Sequence, residues 1–295
     1  MLWVRQLGTQ FAVLILWLVH FLPLAWISAI GAGLGSLLYR FGRGRVTRIN
    51  LELCFPEMPE RERYALGLRH FKMLARNALE LSVLVWGSDK DLLRLIRVEG
   101  MEHLKAVAGR PVIALAPHFI GLNMGGIRVA YEYPGTASIY SRQKNPVVER
   151  LFLKARTRFG HPHLVSRQEG LRSVIRVIRS GKPFYFLPDM DFGSRDALFV
   201  PFFGVLTATI TTLPRVAKLA GATVIPVVTR QIGEGYVVRF YPPWENYPTD
   251  DLEADVRRMN AFIEERVREM PEQYFWAHKR FKTRPPGEES PYLRK

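Results

Sequence analysis

Hydrophobic and polar positions divide the chain into stretches of different period. From Gln6 to Tyr39 no Asp, Glu, Lys or Arg occurs, and Phe11–Leu38 is dominated by Leu, Ile, Val, Ala, Trp and Phe. That run exceeds the roughly 20 apolar residues that cross a bilayer as a helix. Met58–Trp86 changes to a helical period: Pro59 and Glu60 suit a first turn, and Tyr64, Leu68, Phe71, Ala75, Ala78 and Leu79 fall at helical spacing. Beyond it, short apolar runs alternate with helical stretches. Val112–Ala116, Thr136–Tyr140, Pro183–Leu187 and Thr223–Val228 read as strands, separated by helices near Met124–Tyr131, Val147–Phe159, Leu171–Ser180 and Leu213–Ala220. This alternation predicts an α/β sheet with helices on its faces. No internal repeat or low-complexity linker interrupts it. Pro285–Lys295, rich in proline and charge, reads as a mobile tail.

Charge orients the apolar segment. Arg40, Arg43, Arg45 and Arg48 follow it closely, whereas Arg5 and the amino terminus precede it, so the positive-inside bias puts the following residues in the cytoplasm. A secretory signal peptide is the alternative, but its apolar region runs to only about 7–15 residues before a small-residue cleavage site. Pro23 either kinks a single span or marks a re-entrant hairpin. The division expected is a membrane anchor over residues 1–40 and a folded domain over 41–295. The formal net charge of +15 attracts nucleic acid, anionic lipid or an acidic protein alike, and the membrane segment argues against nucleic acid. Cys54 is the one cysteine, which excludes an intrachain disulfide, and its apolar neighbours read as packing.

The segment richest in candidate chemistry is Val112-Ile-Ala-Leu-Ala-Pro-His118-Phe-Ile-Gly-Leu-Asn123-Met-Gly-Gly. An apolar strand ends at His118 and a helix begins soon after, which sets His118 where open α/β sheets bind ligands. His118 is either a general base for an attacking hydroxyl or a structural histidine closing the strand. Asn123 suits a helix N-cap. In Phe184-Tyr-Phe-Leu-Pro-Asp189-Met-Asp191-Phe-Gly193 two carboxylates follow a buried strand, on one side if the backbone stays extended. Taken alone, that pair fits a charged turn or the metal–diphosphate site of a glycosyltransferase. His161 and His163 lack convergent partners for a metal, and no phosphate-binding glycine loop appears.

The His118 segment resembles the His-x4-Asp/Glu motif of the glycerolipid acyltransferase superfamily, and the chain is similar above all to the lipid A late acyltransferases. The resemblance runs through Asn50-Leu-Glu-Leu-Cys-Phe-Pro-Glu-Met58, Gly100-Met-Glu-His103, Pro188-Asp-Met-Asp-Phe-Gly193, Val200-Pro-Phe-Phe-Gly204 and Pro271-Glu-Gln-Tyr-Phe-Trp-Ala-His-Lys-Arg-Phe-Lys-Thr-Arg-Pro285, nearly the whole chain. It implies a glycerolipid-acyltransferase-like mixed sheet flanked by helices behind an N-terminal membrane helix. It also implies an enzyme of the bacterial inner membrane, with its catalytic domain on the cytoplasmic side. That enzyme would move a fatty acyl chain from acyl carrier protein onto a hydroxyl of a lipid A precursor, without a cofactor or metal. An acyltransferase for another lysolipid or aminolipid is the nearest alternative.

The resemblance further makes His118 the base and brings Asp189 and Asp191 to the active site. It sets Phe202 and Gly204 near substrate, and it makes Arg142, in Tyr140-Ser-Arg142-Gln-Lys144-Asn-Pro146 and one position later than in the family, the counterpart of an arginine that meets phosphate or the catalytic acid. A further departure bears on the chemistry: Asn123 stands where the family has an acid. Asn orients an imidazole without carrying charge, and the same exchange in a serine-protease triad costs about 10⁴ in turnover. The chain is then slow, a lipid-binding relative, or assisted by another acid. Arg150, Lys154 and Arg158 form one helical stripe, and Arg172, Arg176 and Arg179 another. Such stripes are solvated faces or, functionally, contacts for an acidic carrier protein or anionic headgroups.

Overall fold

The computed structural model describes residues 2–166 and 169–293; the last two residues of the expected tail lie outside the described residues. The apolar segment is not one helix. α1 (Leu2–Val19) and α2 (Leu24–Leu38) meet at Pro23, whose missing N–H and fixed φ interrupt the ladder. The expected N-terminal apolar helix is found in α2 and its continuation, with the shorter apolar α1 before it. With the bent turn Tyr39–Arg43, the stretch Leu24–Gly42 is long and apolar enough to cross a membrane. Phe11, Trp17, Trp26, Ile30 and Leu37 project outward from the two helices.

α3 (Arg45–Cys54) then leads to α4 (Glu60–Trp86), which starts after Pro59 as the sequence predicts. α2 lies along α4 at backbone contact. A Cβ on Gly31 would stand 2.5 Å from the Arg76 Cα, and one on Gly35 2.2 Å from the Phe71 carbonyl oxygen, so neither position tolerates a side chain without separating the helices. α2 is thus fastened closely to α4.

The rest alternates strands and helices: α5 (Asp89–Leu95), β1 (Ile96–Glu99), α6 (Met101–Lys105), β2 (Val112–Leu115), α7 (Leu122–Glu132), β3 (Ala137–Tyr140), α8 (Pro146–Thr157), β4 (His163–Ser166), α9 (Gly170–Arg179), β5 (Phe184–Phe186), β6 (Ala197–Phe202), β7 (Val205–Ile210), α10 (Thr212–Ala220), β8 (Thr223–Ile232), β9 (Gly235–Phe240) and α11 (Leu252–Glu269). Seven strands form one sheet in the order β1-β9-β8-β2-β5-β3-β4, and β6 and β7 make a separate hairpin. β8, β2, β5, β3 and β4 are mutually parallel, while β9 runs against β8 and carries β1 beside it, which makes the sheet mixed as expected.

β2 and β5 are buried on both faces, which is why they read as unbroken apolar runs rather than alternations. Ile113, Leu115, Phe184 and Phe186 join a core with α3, α9, α10 and α11; Val112, Ala114 and Tyr185 join a second core, on the opposite face, with α7 and α8. The C-terminal segment folds onto α3 instead of running free through 285–293. Tyr292 is buried, and its hydroxyl donates to the Asn50 Oδ1.

Candidate active site

The parallel strands β2 and β5 are direct neighbours, so the residues just past their carboxyl ends meet at one edge of the sheet. His118 follows β2 and Asp189 follows β5. The Asp189 Oδ1 lies 2.6 Å from the His118 Nδ1, and its Oδ2 accepts the His118 backbone N–H at 2.9 Å. An ionised carboxylate only accepts, so Nδ1 carries the proton and Nε2 keeps its lone pair. Asp189 is buried, while the His118 side chain is 20% exposed, so the pair is dry at its base and open at its tip.

Burial alone would raise the Asp189 carboxyl. The imidazole of His118, its side-chain and backbone hydrogen bonds and the Arg280 guanidinium outweigh that, and hold the group below the ordinary carboxylate value. Arg280 is itself buried, donating to the Ala208 carbonyl at 2.9 Å and the Thr209 hydroxyl at 3.1 Å with its guanidinium over the Phe202 ring. Tyr274 sits on the same carboxylate: burial and the negative charge of Asp189 push its phenol well above the usual range.

The loop that carries His118 is pinned from the far end of the chain. The Phe275 N–H donates to the His118 carbonyl at 2.9 Å, the Ile120 N–H to the Gln273 carbonyl at 2.7 Å, and Phe119 bridges to Tyr274. Gln273 is fixed in turn by Gln231, whose amide reaches the buried cluster of Tyr236, Glu80 and Arg76. Asn50 on α3 donates to the carbonyls of Trp276 and His278, each at 2.7 Å, which accounts for an asparagine at that point. Sequence reasoning gives no sign of Gln273, His278 or Arg280 as parts of the site beyond their place in the Pro271–Pro285 run.

The remaining candidates separate sharply. Asn123 is not an N-cap: Gly121, at a φ of +91°, occupies that position, and a Cβ there would strike Tyr236 at 2.6 Å. Asn123 sits in the first turn of α7 and accepts from Arg156 of α8 at 3.4 Å, not from His118. Asp191, expected beside Asp189 in the active site, is turned away from it. Its oxygens accept the Thr283 N–H at 2.7 Å, the Thr283 hydroxyl at 2.8 Å and the Gly193 N–H at 2.9 Å, while its own N–H donates to the His278 Nε2. Both carboxylates of the Asp-x-Asp pair are committed to protein donors, which counts against the metal–diphosphate reading. Phe202 is a fully buried core residue against Tyr274 and Phe281, and Gly204, at a φ of +76°, makes the exposed turn of the β6–β7 hairpin. Phe202 reaches the His118–Asp189 pair only through Tyr274 and Arg280.

Arg142 is exposed in the loop leaving β3, one strand beyond β5 and on the same sheet edge as His118. The loop is held by the Gln143 N–H on Glu149 at 2.7 Å and by the Asn145 amide on Thr9 of α1 at 2.9 Å. Arg150 is exposed, Lys154 lies over the Trp86 ring, and Arg158 donates to the Val85 carbonyl. Arg172 and Arg176 are exposed on α9. His161 and His163 are exposed, and among the described residues no group of three or more His, Cys, Asp and Glu comes together.

The family model for bacterial lipid A biosynthesis acyltransferases matches residues 1–283. The chain belongs to this family. Its relatives include an Escherichia coli K12 lipid A biosynthesis lauroyltransferase, 35% identical over 98% of this chain and 95% of the relative, and a lipid A biosynthesis palmitoleoyltransferase of the same organism, 32% identical over 97% and 94%. A lipid A biosynthesis myristoyltransferase, also from Escherichia coli K12, is 32% identical over 92% and 86%. Among solved structures, a 1-acyl-sn-glycerophosphate acyltransferase of Thermotoga maritima aligns at a TM-score of 0.39 and 17% identity, over 82% of this chain and 97% of that one.

Proposed function

We propose that the chain transfers a fatty acyl group from the thioester of acyl carrier protein to a hydroxyl of a lipid A precursor, with His118 as general base and Asp189 as its charged partner. The observation that carries this is the 2.6 Å His118–Asp189 contact at the open edge of the sheet. The acceptor hydroxyl gives its proton to the free His118 Nε2 as its oxygen attacks the thioester carbon. The tetrahedral oxyanion collapses, the C–S bond breaks, and the departing thiolate takes the proton back from the imidazolium. Asp189 stabilises that imidazolium and fixes the tautomer, supplying the charge that Asn123 lacks. No acyl-enzyme is needed. Backbone donors at the start of α7 and the Arg142 guanidinium are the groups available to developing negative charge.

Residues 1–40 serve as the membrane anchor, 41–295 as the acyltransferase domain, and the protein works at the inner membrane with its catalytic domain on the cytoplasmic side. The outward apolar side chains of α1 and α2 support this, as does the tie from Thr9 to the loop of Arg142, which keeps a phosphate-competent guanidinium next to the membrane helices. The test is acyl transfer from carrier-bound fatty acids to a tetra-acylated lipid A precursor in detergent. We expect turnover by the native chain and a loss of at least ~10³ in His118→Ala. A native chain that folds, binds both substrates and turns neither over would make it a non-catalytic relative.

A further inference from the structure

Two basic helix faces stand on opposite sides of the sheet, and their surroundings differ. α8 packs with the second core, and its start is tied to α1 through Asn145 and Thr9, so its cations lie on the side of the membrane helices. α9 buries Val174 and Ile178 in the first core and lies against β4 and α10. Its outer surface presents Arg172, Arg176 and Arg179 around Ile175, lining a shallow groove of about 340 Å³, with Leu171 exposed beside them.

The cations of the neighbouring α10 region have acids: Lys218 meets Asp250 at 2.7 Å and Arg215 meets Asp196 at 3.7 Å. Among the described residues, no carboxylate comes within ion-pair distance of Arg172, Arg176 or Arg179; Arg179 donates to the neutral Leu219 carbonyl. Glu169, directly before α9, accepts from the Ser166 N–H and the Ser173 hydroxyl. α9 connects the parallel strands β4 and β5, so it runs back against them and its Arg172 end opens on the edge that carries His118 and Asp189.

We propose that the arginine face of α9 is the docking surface for the acidic carrier protein that presents the acyl thioester. This rests on the carrier-protein donor reading above. Arginine forks suit surface carboxylates, the exposed Leu171 and half-buried Ile175 supply an apolar centre between charges, and unpaired positive charge speeds the encounter with a negative partner. Its position away from α1 leaves the anchor side to lipid, so donor and acceptor approach the same edge from different sides.

The test uses the full-length protein in detergent, with one acyl chain presented either on the carrier protein or on pantetheine alone. In R172E/R176E the ratio of kcat/KM for the carrier-bound over the pantetheine-bound donor is expected to fall at least tenfold, through KM. Binding to phosphatidylglycerol vesicles should match that of the native chain. Raising salt should increase the native KM for the carrier-bound donor and flatten in the variant. A folded variant with the native ratio overturns the docking face, as does a variant that keeps the ratio but loses vesicle binding, which would assign the face to lipid. A native chain that shows no preference for the carrier-bound donor overturns the donor reading itself.

Discussion

The first turn of α7 and the loop leaving β5 both reach the edge where His118 stands, but they meet it differently. α7 brings Asn123, an uncharged amide directed at Arg156; the β5 loop brings Asp189, a buried carboxylate held by two contacts from His118. Local spacing makes the α7 position the expected partner, since it lies five residues from the histidine. Parallel pairing of β2 with β5 supplies the other across 71 residues. The carboxylate beside His118 therefore comes from a neighbouring strand end and not from the helix that follows the histidine. Against burial, the imidazole and the backbone N–H of His118 and the Arg280 guanidinium hold it charged there.

The sharpest way to break this contrast is Asp189→Asn. The amide keeps the shape but removes the charge and can impose the wrong imidazole tautomer, so kcat should fall by about 10³–10⁴ with the protein still folded. Turnover within tenfold of native would mean that Asp189 is structural and that the charge comes from elsewhere.

A second test concerns how the His118 loop is supported from behind. His70 on α4 is fully buried, and its Nδ1 stands 3.0 Å from the Glu272 carbonyl, directly before Gln273. Burial lowers its pKa from 6.5 to about 4, and a carbonyl contact only partly opposes that. The unfolded chain therefore takes up a proton first as pH falls. The stability that His70 confers by staying neutral is present above pH 6.5 and drains away between 6.5 and 4, on the order of 3 kcal/mol. His278, also lowered to about 4 by burial and by Arg280, acts in the same window. In melts between pH 7.5 and 4.5, His70→Gln should lose less stability than the native chain. An unchanged slope would show that His70 does not titrate on unfolding.

Asp191 sharpens the comparison within one loop. Removing its three accepted hydrogen bonds in Asp191→Ala should cost about 2–3 kcal/mol of stability, read from denaturant unfolding. Turnover per folded molecule should fall far less than in Asp189→Asn. An equal loss of kcat in a fully folded Asp191→Ala would return the pair to a shared catalytic role.

What the sequence makes legible follows from where its signals are local. α4, β2, β5 and the helices α7 to α10 announce themselves because their apolar positions repeat or run unbroken within the element. β1 (Ile96-Arg-Val-Glu99) and β4 (His163-Leu-Val-Ser166) mix polar and apolar residues over four positions, and β9 is an antiparallel strand whose identity depends on β8, so no unbroken apolar run marks them. His118 is legible as a strand-end residue. Its partner is not, because Asp189 and Asp191 are equivalent in sequence and differ only in which distant donors, His118 or Thr283, face them. The tail misleads for the same reason: Pro and charge dominate it, yet buried contacts of the Tyr292 hydroxyl with Asn50 and the Phe281 N–H tie 285–293 to the fold.

The smallest effect is the most discriminating. Asn123→Asp restores the acid that the motif calls for, and if local spacing governed the chemistry it would raise turnover by orders of magnitude. The geometry argues otherwise. The position faces Arg156, whose guanidinium is largely buried and whose pKa is lowered by that burial, opposed by the charge of Glu149. A carboxylate there gains an ion pair rather than a histidine. The expected result is a change in kcat of less than about threefold and a gain in stability of at most about 1 kcal/mol, since part of the pairing energy is lost to desolvation. A rise of a hundredfold or more in the same transfer assay would show that Asn123 disables the site and that Asp189 alone is an insufficient partner for His118.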